Sequence, residues 1–382
     1  MRYAEIHIIH NLPPQAANRD EAGRPKTAYY AGVERARWSS QAQKRAMRLL
    51  AREASLVPKE EAAWRTRHLH RLLAERLPTL DEEVLARAVR GLLKAMGIAQ
   101  DGAMSRYLLF VSQPEVEAMA DLVASHLEDL LVLAEADEEA QAAEGERKPR
   151  GKRKKGESVP ENLLKEAKRL LPRINLELAL FGRMLADLPE SGVDGALAVA
   201  HAIGVGQDLV EEDYFVGMDD WAPAAGMIEH TEFAATTLYR YAVLDLDELA
   251  RKVGEERALL GLRYFLHTFP LALPAGRIRS FAHYGEPEVV LVSLGEGAPR
   301  NLARAFDPPV RPHPEAPTPL LALRRLLGLK SRYEEVYGGG STWFGISLYP
   351  EALAEPGVQW LPRFSDLQQA ALREGENLLR RS

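Results

Sequence analysis

The 382-residue chain has no cysteine, which removes disulfides, thiolate metal sites and cysteine nucleophiles together. Aromatic residues are sparse at 7%. No apolar run approaches the roughly 20 residues that span a bilayer. The opening MRYAEIHIIHN places charge and histidine inside its apolar stretch, so it is not a signal peptide, and a cytoplasmic protein is expected. Neither G-x-x-x-x-G-K-[ST] nor G-x-G-x-x-G after a strand occurs, and there is no G-x-S-x-G. Gly338-Gly339-Gly340 precedes a strand and reads as a turn rather than a phosphate cradle. His7 and His10 lie three apart on a strand and point to opposite faces, while His68 and His70 are two apart on a helix, so neither pair suits a metal. No cofactor or metal is expected.

What is present is ordinary globular material: 46% hydrophobic and 27% charged residues, enough for about two to three domains. The net charge is −6, but its distribution is uneven. Residues 1–50 hold nine Lys/Arg and four Asp/Glu, a net of +5, and the remainder sums to −11. A local polyanion site on an acidic body produces that asymmetry, as does chance. Arginine outnumbers lysine 37 to 12.

Periodicity predicts a strand over 4–12 stopped by Pro13-Pro14, a strand over 33–38, and a helix opened by Ser39-Ser40 with a Ser40/Gln43 capping box. Helical segments are expected at 59–77, 81–97 and 114–133. Residues 134–160 break the pattern, and seven of the nine residues 147–155 are basic. Further along, strands are expected at 174–181, 236–246, 288–294 and 343–349, and helices at 193–203, 247–267, 318–337 and 364–381. The Gly/Asp-rich stretch 204–230 is too long for a plain turn and reads as a functional loop or extended hairpin. Strands and helices mix without a strict βαβ repeat, giving an α+β fold with a large helical insertion near 50–170.

The strongest constellation runs from Asn18 to Arg48. It comprises Asn18, Arg19, Arg24, Lys26, Arg35, Arg37, Ser39, Ser40, Gln41, Lys44, Arg45 and Arg48. Arg35 and Arg37 are two apart on a strand and share a face. Gln41, Lys44, Arg45 and Arg48 are three or four apart on a helix and form one stripe. The helix start after Ser40 adds a positive dipole end. A solvated helix face usually mixes signs, yet no acid occurs between Arg35 and Arg52. Phosphate binding is the favoured reading. The run Arg147, Lys148, Arg150, Lys152, Arg153, Lys154 and Lys155 is less specific, and a solvated loop competes with nucleic-acid contact. In 204–230, Phe215, Val216, Met218, Trp221, Met227 and Ile228 stand among acids and glycines, as base wedges, as a subunit contact or as the loop's own small core. The adjacent Asp219 and Asp220 could bind a metal, although solvation is commoner.

The segments IHIIHN, ANRDEAGRPKTAYYAGVERARWSSQAQKRAMR, ELALFGRMLAD, TTLYRYAVLDLDEL, PAGRIRSFAHYGEPEVVLVSL and NLARAF, in this order, resemble the CasC backbone subunits of type I-E CRISPR Cascade complexes, in the Cas-seven superfamily. The likeness covers nearly the whole chain and is weakest in 55–170 and 310–382. It implies an RRM-like (ferredoxin-like) palm from residues 1–48 and 174–382, helical fingers at 49–173, and a thumb hairpin at 203–230. It implies a non-enzymatic subunit whose copies stack head to tail along a CRISPR RNA. Lys26, Arg35, Ser39, Gln41, Lys44, Arg45 and Arg48 would lie near the guide backbone, with Arg277 and Arg279 as lesser contacts. Phe215, Val216 and Ile228 would form the thumb wedge with Met184. Implied partners are the guide RNA, the target DNA strand paired with it, other copies, and the large, small, cap and guide-processing subunits. No RNP-type aromatic motif is present, so base-stacking recognition is not implied. The alternative is a metal-dependent RNA endonuclease using Asp219 or Asp220. A protein-only scaffold is a third reading.

Overall fold

The computed structural model describes residues 1–102, 104–145, 160–221 and 225–381. The chain forms two compact units, Met1–Leu56 with Ala196–Ser382, and Val57–Gly195. The fold is mixed α+β.

In the first unit the strands are β1 (Arg2–Gln15), β2 (Thr27–Tyr30), β3 (Val33–Trp38), β4 (Leu197–Val199), β5 (Ala202–Gly204), β6 (Glu211–Met218), β7 (Ala225–Asp245), β8 (Val289–Glu296), β9 (Thr342–Ser347) and β10 (Gln359–Trp360). The main helices are α1 (Ser40–Glu53), α2 (Leu246–Val253), α3 (Glu255–Leu271), α4 (Thr318–Tyr337) and α5 (Phe364–Arg380). All ten strands join one sheet in the order β10-β9-β8-β1-β7-β5-β3-β2, with β4 and β6 also pairing with β7. Only β9–β10 is parallel. In the centre, His7 opposes Tyr241 on one side of β1 and Leu291 on the other.

Residues Tyr3 to His10 are all buried, because both faces of β1 are covered. On one face Ile9 packs with Tyr239, Leu291 and the α4 side chains Leu323, Leu326 and Leu327. On the other, the α3 and α5 helices close over β8: a Cβ at Gly375 would overlap Leu262 and lie 3.5 Å from Leu294. Burial on both sides removes the polar alternation of a half-exposed strand, which explains the IHIIH run.

Polar groups trapped in this sheet are tied to specific partners. Arg240 is fully buried and donates to the carbonyls of Phe269 (2.5 Å), Pro270 (3.2 Å) and Ala272 (3.1 Å). Its guanidinium therefore sits at the negative end of α3. Burial lowers its pKa to about 9, which leaves it charged at neutral pH. His7 Nδ1 meets the Tyr239 hydroxyl at 2.9 Å, and desolvation lowers the imidazole to about 3, so it is neutral.

In the second unit, the helix Glu82–Met96 buries Leu85, Val89, Leu92, Leu93 and Met96 in one cluster with Met119, Leu130 and Leu163. Gly91 is required there, since a Cβ would overlap the Leu130 carbonyl. Arg183 and Glu115 form a buried ion pair at 2.7 Å. Glu115 also completes a capping box with Ser112 at the start of the helix Gln113–Ser125.

Several local expectations are corrected. Residues 174–181 are not a strand: Leu176–Phe181 is helical, because the Asn175 side chain accepts from Leu178 N–H at 3.1 Å. A short apolar run does not reveal its period. The Ala-rich 193–203 is not a helix but contains β4 and β5, whose pairing with β7 overrides alanine's preference. β1 passes Pro13-Pro14, which sit where its register with β7 is irregular and no ladder N–H is needed. Within 59–77 lie a 3-10 turn, the strand Ala63–Thr66 paired with Leu109–Ser112, and the helix Leu69–Ala74. The helix Leu127–Gly145 runs through the acidic stretch expected to be irregular. The span 247–267 is two helices, divided at Gly254 with φ +83.

Glu5, buried on the α4 side, accepts from the Tyr241 hydroxyl and from Arg300 N–H, both at 2.5 Å. Desolvation raises its carboxyl to about 7 from the usual 4.5. The folded state therefore holds a proton that the unfolded chain releases above pH 4.5. The resulting penalty grows as pH rises from 4.5 to 7 and is complete above 7. Glu5→Gln should accordingly raise stability by about 3 kcal/mol at pH 8 and leave it unchanged at pH 4.5, read by chemical denaturation.

Candidate nucleic-acid interface

Two backbone hydrogen bonds and one to a side chain assemble the basic site. Lys26 N–H donates to Asn18 O, and Arg37 N–H donates to Lys26 O, both at 2.8 Å. The Asn18 side chain accepts from Ser39 N–H at 2.7 Å. Asn18, Lys26, Arg37 and Ser39 are thereby brought to the start of α1. Ser39 is the N-cap, with Oγ accepting from Ala42 N–H at 3.2 Å, so the expected Ser40/Gln43 capping box does not form: the cap lies one residue earlier, and Ala42 has no side-chain acceptor to return the bond. No acid occupies the first turn of α1. Its positive end is uncompensated locally.

The helix buries Gln43, Ala46, Met47 and Ala51. That choice of face leaves Gln41 and Arg45 exposed, with Ser40, Lys44 and Arg48 half-buried alongside. Partial burial holds the Lys44 ammonium below the ordinary lysine pKa. Gly276 lies so close to the Ala16 and Ala17 carbonyls that no Cβ fits. It brings the exposed Arg277 and Arg279 next to the Asn18 segment. A groove of about 430 Å³ between them is lined by Ala17, Arg45, Leu49, Leu273, Gly276 and Tyr284.

Three of the expected contacts have protein partners. Arg35 is fully buried and does not share an exposed face with Arg37. Its guanidinium donates to the carbonyls of Tyr30, Gly204, Val205 and Phe306 at 2.7–3.1 Å, so it holds loops rather than facing a phosphate. Arg24 pairs with Glu232 at 2.7 Å. Arg277 donates to Thr231 Oγ1 at 2.9 Å, at the root of the hairpin. Arg19 is exposed.

The 204–230 stretch forms an antiparallel hairpin from β6 and the first part of β7. Val216 opposes Ile228, and Tyr214 opposes His230 with ring centres 5.9 Å apart. The period of two places these four on one face and Phe215 with Met227 on the other. Val216 and Ile228 are 49% and 70% exposed, so the pair is not a private core. Phe215 does not share their face. Met184, 91% exposed, belongs to the second unit. Asp219 and Asp220 are exposed, and Asp219 accepts from Trp221 N–H at 2.8 Å. Among the described residues, no group of three or more His, Asp or Glu could hold a metal. Arg147, Lys148, Arg150, Lys152, Arg153, Lys154 and Lys155 lie outside the described residues.

Sequence reasoning missed His201 and Gln43. His201 Nδ1 lies 2.7 Å from Arg37 Nη1, although the two are 164 positions apart. The buried Gln43 donates to Ala200 O at 2.9 Å. No spacing signal marks His201, because only the pairing of β3 with β5 brings it to the site, and Gln43, which spacing had placed in a capping box, takes its bracing role from the fold.

These features define a sheet-based protein with a helical insertion, an exposed basic helix face and an apolar hairpin. A family model described as CT1975-like protein matches residues 4–356, so the chain belongs to the CT1975-like family. A solved chain titled "CRISPR RNA-guided surveillance complex, pre-nicking" is 26% identical with a TM-score of 0.80, over 98% of this chain and 100% of that one. Another, titled "CRISPR RNA-guided surveillance complex", is 25% identical with a TM-score of 0.70, over 97% and 99%. The chain is thus homologous to subunits of such complexes. A search of curated proteins finds no match. Among the described residues, no helix is long and apolar enough to cross a membrane.

The two kinds of arginine should separate cleanly on substitution. Arg35→Ala removes the buried donors to four carbonyls, of which Val205 O keeps a bond from Val310 N–H, and should cost about 3 kcal/mol of stability. Arg45→Ala removes only an exposed side chain and should stay within about 0.5 kcal/mol. Thermal denaturation of the two variants reads the difference.

Proposed function

We propose that this chain is the guide-binding backbone subunit of a type I-E Cascade surveillance complex, without catalytic activity of its own. The observation that carries the reading is the end-to-end likeness to chains of CRISPR RNA-guided surveillance complexes. Strand order supports the RRM-like palm. β1, β4, β7 and β8, taken as strands one to four, stand in the order 4-1-3-2, with α1 after the first and α2–α3 after the third. The second unit supplies the fingers and the β6–β7 hairpin the thumb.

In this reading the α1 stripe, the Asn18–Lys26 segment and Arg277 and Arg279 hold guide phosphates. Such contacts fix position and carry no sequence information, so target choice is left to base pairing with the DNA strand. Val216 and Ile228 displace nucleotides at regular intervals. Copies joined head to tail use a heterologous contact that does not close, which generates a helical filament capped by sister subunits.

Co-expression with a CRISPR array and the sister subunits should yield large particles with RNA of uniform length, measured by light scattering. Log affinity for single-stranded RNA should fall against log salt with a slope of about −0.7 per neutralised phosphate. Lys44→Ala with Arg48→Ala should weaken binding equally for all sequences. Val216→Asp with Ile228→Asp should keep binding but erase the regular spacing of nucleotide protection. A flat salt response would leave the protein-only scaffold. Metal-dependent cutting lost on Asp219→Asn or Asp220→Asn would favour the endonuclease.

A further inference from the structure

We propose that His201 is a backbone-phosphate contact of the RNA site, acting with Lys26 and Arg37 as a three-donor anion cradle whose grip tightens by taking up a proton. This rests on the RNA-binding reading above and names a residue and a linkage which that reading lacks.

The geometry starts from Arg37. A guanidinium can only donate, so the 2.7 Å contact requires His201 Nδ1 to accept. The neutral ring therefore carries its hydrogen on Nε2. Arg37 is held in place by a second bond, Nε to Thr27 O at 3.2 Å. The ring is exposed, and Gln43 fixes the preceding carbonyl on Ala200. The charged groups acting on His201 are Arg37 and Lys26, both positive. Neither Lys26 nor Arg37 has a carboxylate partner among the described residues.

This is an unusual use of charge for a free surface. Two cations and a histidine crowd together with no anion between them. Partial burial and the repulsion of Arg37 and Lys26 hold the imidazole below its ordinary pKa in the free protein. A phosphodiester in the cradle reverses that balance. Its negative charge screens the two cations and accepts from Nε2–H, so the protonated ring becomes the stable form when RNA is bound. In that state Nδ1 also carries a hydrogen, and the Arg37 bond to it is released. The freed Nη1 donor then turns to the phosphate. Protonation thus supplies a charge and a second donor at once. RNA binding takes up a proton, and affinity rises as pH falls.

The test measures binding of a fluorescent oligouridine to the full chain between pH 8 and pH 6 at constant ionic strength. Oligouridine has no group that titrates in this window. The wild type should bind about fivefold more tightly at pH 6 than at pH 8. His201→Asn keeps an acceptor for Arg37 but cannot titrate. It should flatten this dependence, losing the tightening that the wild type gains at pH 6. His201→Lys, permanently charged, should bind tightly and equally at both pH values. A wild-type affinity independent of pH, or a pH dependence that survives in His201→Asn, overturns the proposal while leaving the RNA reading intact. Absence of binding at every pH and low salt overturns the RNA reading itself, and this proposal with it.

Discussion

Covering β1 on both faces is the constraint on which the rest of the sheet unit depends. A strand buried on one side can turn its polar side chains to water. β1 and β7 cannot, so Glu5 and Arg240 take partners inside the protein, while His7 and His10 stay neutral. Burying a charge without such partners is prohibitive. Each solution ties distant segments together. Arg240 fastens the end of α3 to β7 and reaches Gln43 of α1 at 3.3 Å. Tyr239 accepts from Leu302 N–H at 3.1 Å and so anchors the 300s loop to the sheet. Arg35 does the same for the loops around Gly204 and Phe306.

The interface inherits its rigidity from these ties. Gln43 sits between Arg240 and the Ala200 carbonyl, so the first turn of α1 is registered against both the core and the strand edge. The side chains offered to solvent then follow from the helical period. Residues 43, 46, 47 and 51 face inward, and the basic side chains take the opposite side. A site for a polymer backbone needs fixed spacing more than a deep pocket, and a capped helix braced at its first turn supplies that.

The hairpin is built on the opposite principle. Its acids and exposed apolar side chains contribute little to the protein's own stability. Val216 beside Ile228 exposes a β-branched pair to water, a cost tolerated where the surface is meant to meet something else. Its root is nonetheless secured, through Arg24 to Glu232 and Arg277 to Thr231. Two arginines that sequence reasoning assigned to RNA thus also brace the hairpin against the basic surface.

By itself the sequence determined the elements whose signals are local. α4 begins and ends where expected at 318–337, because a Pro at its start and glycines after it punctuate a helical period. The acid-free stretch from Arg35 to Arg52 announced a basic helix face, and the 204–230 composition narrowed that stretch to a functional loop or an extended hairpin. The tertiary structure decided whatever depended on a distant partner. Ala198 and Ile203 lie in strands because β7 pairs with them, and Leu176–Phe181 is a helix because Asn175 caps it. Arg35 and Arg37 share a face by period, yet one is enclosed by carbonyls from three loops and the other meets His201. Side-chain period is a property of neighbours in the chain. Burial and hydrogen-bond partners are properties of the whole packed sheet, and they separated the structural arginine from those of the interface.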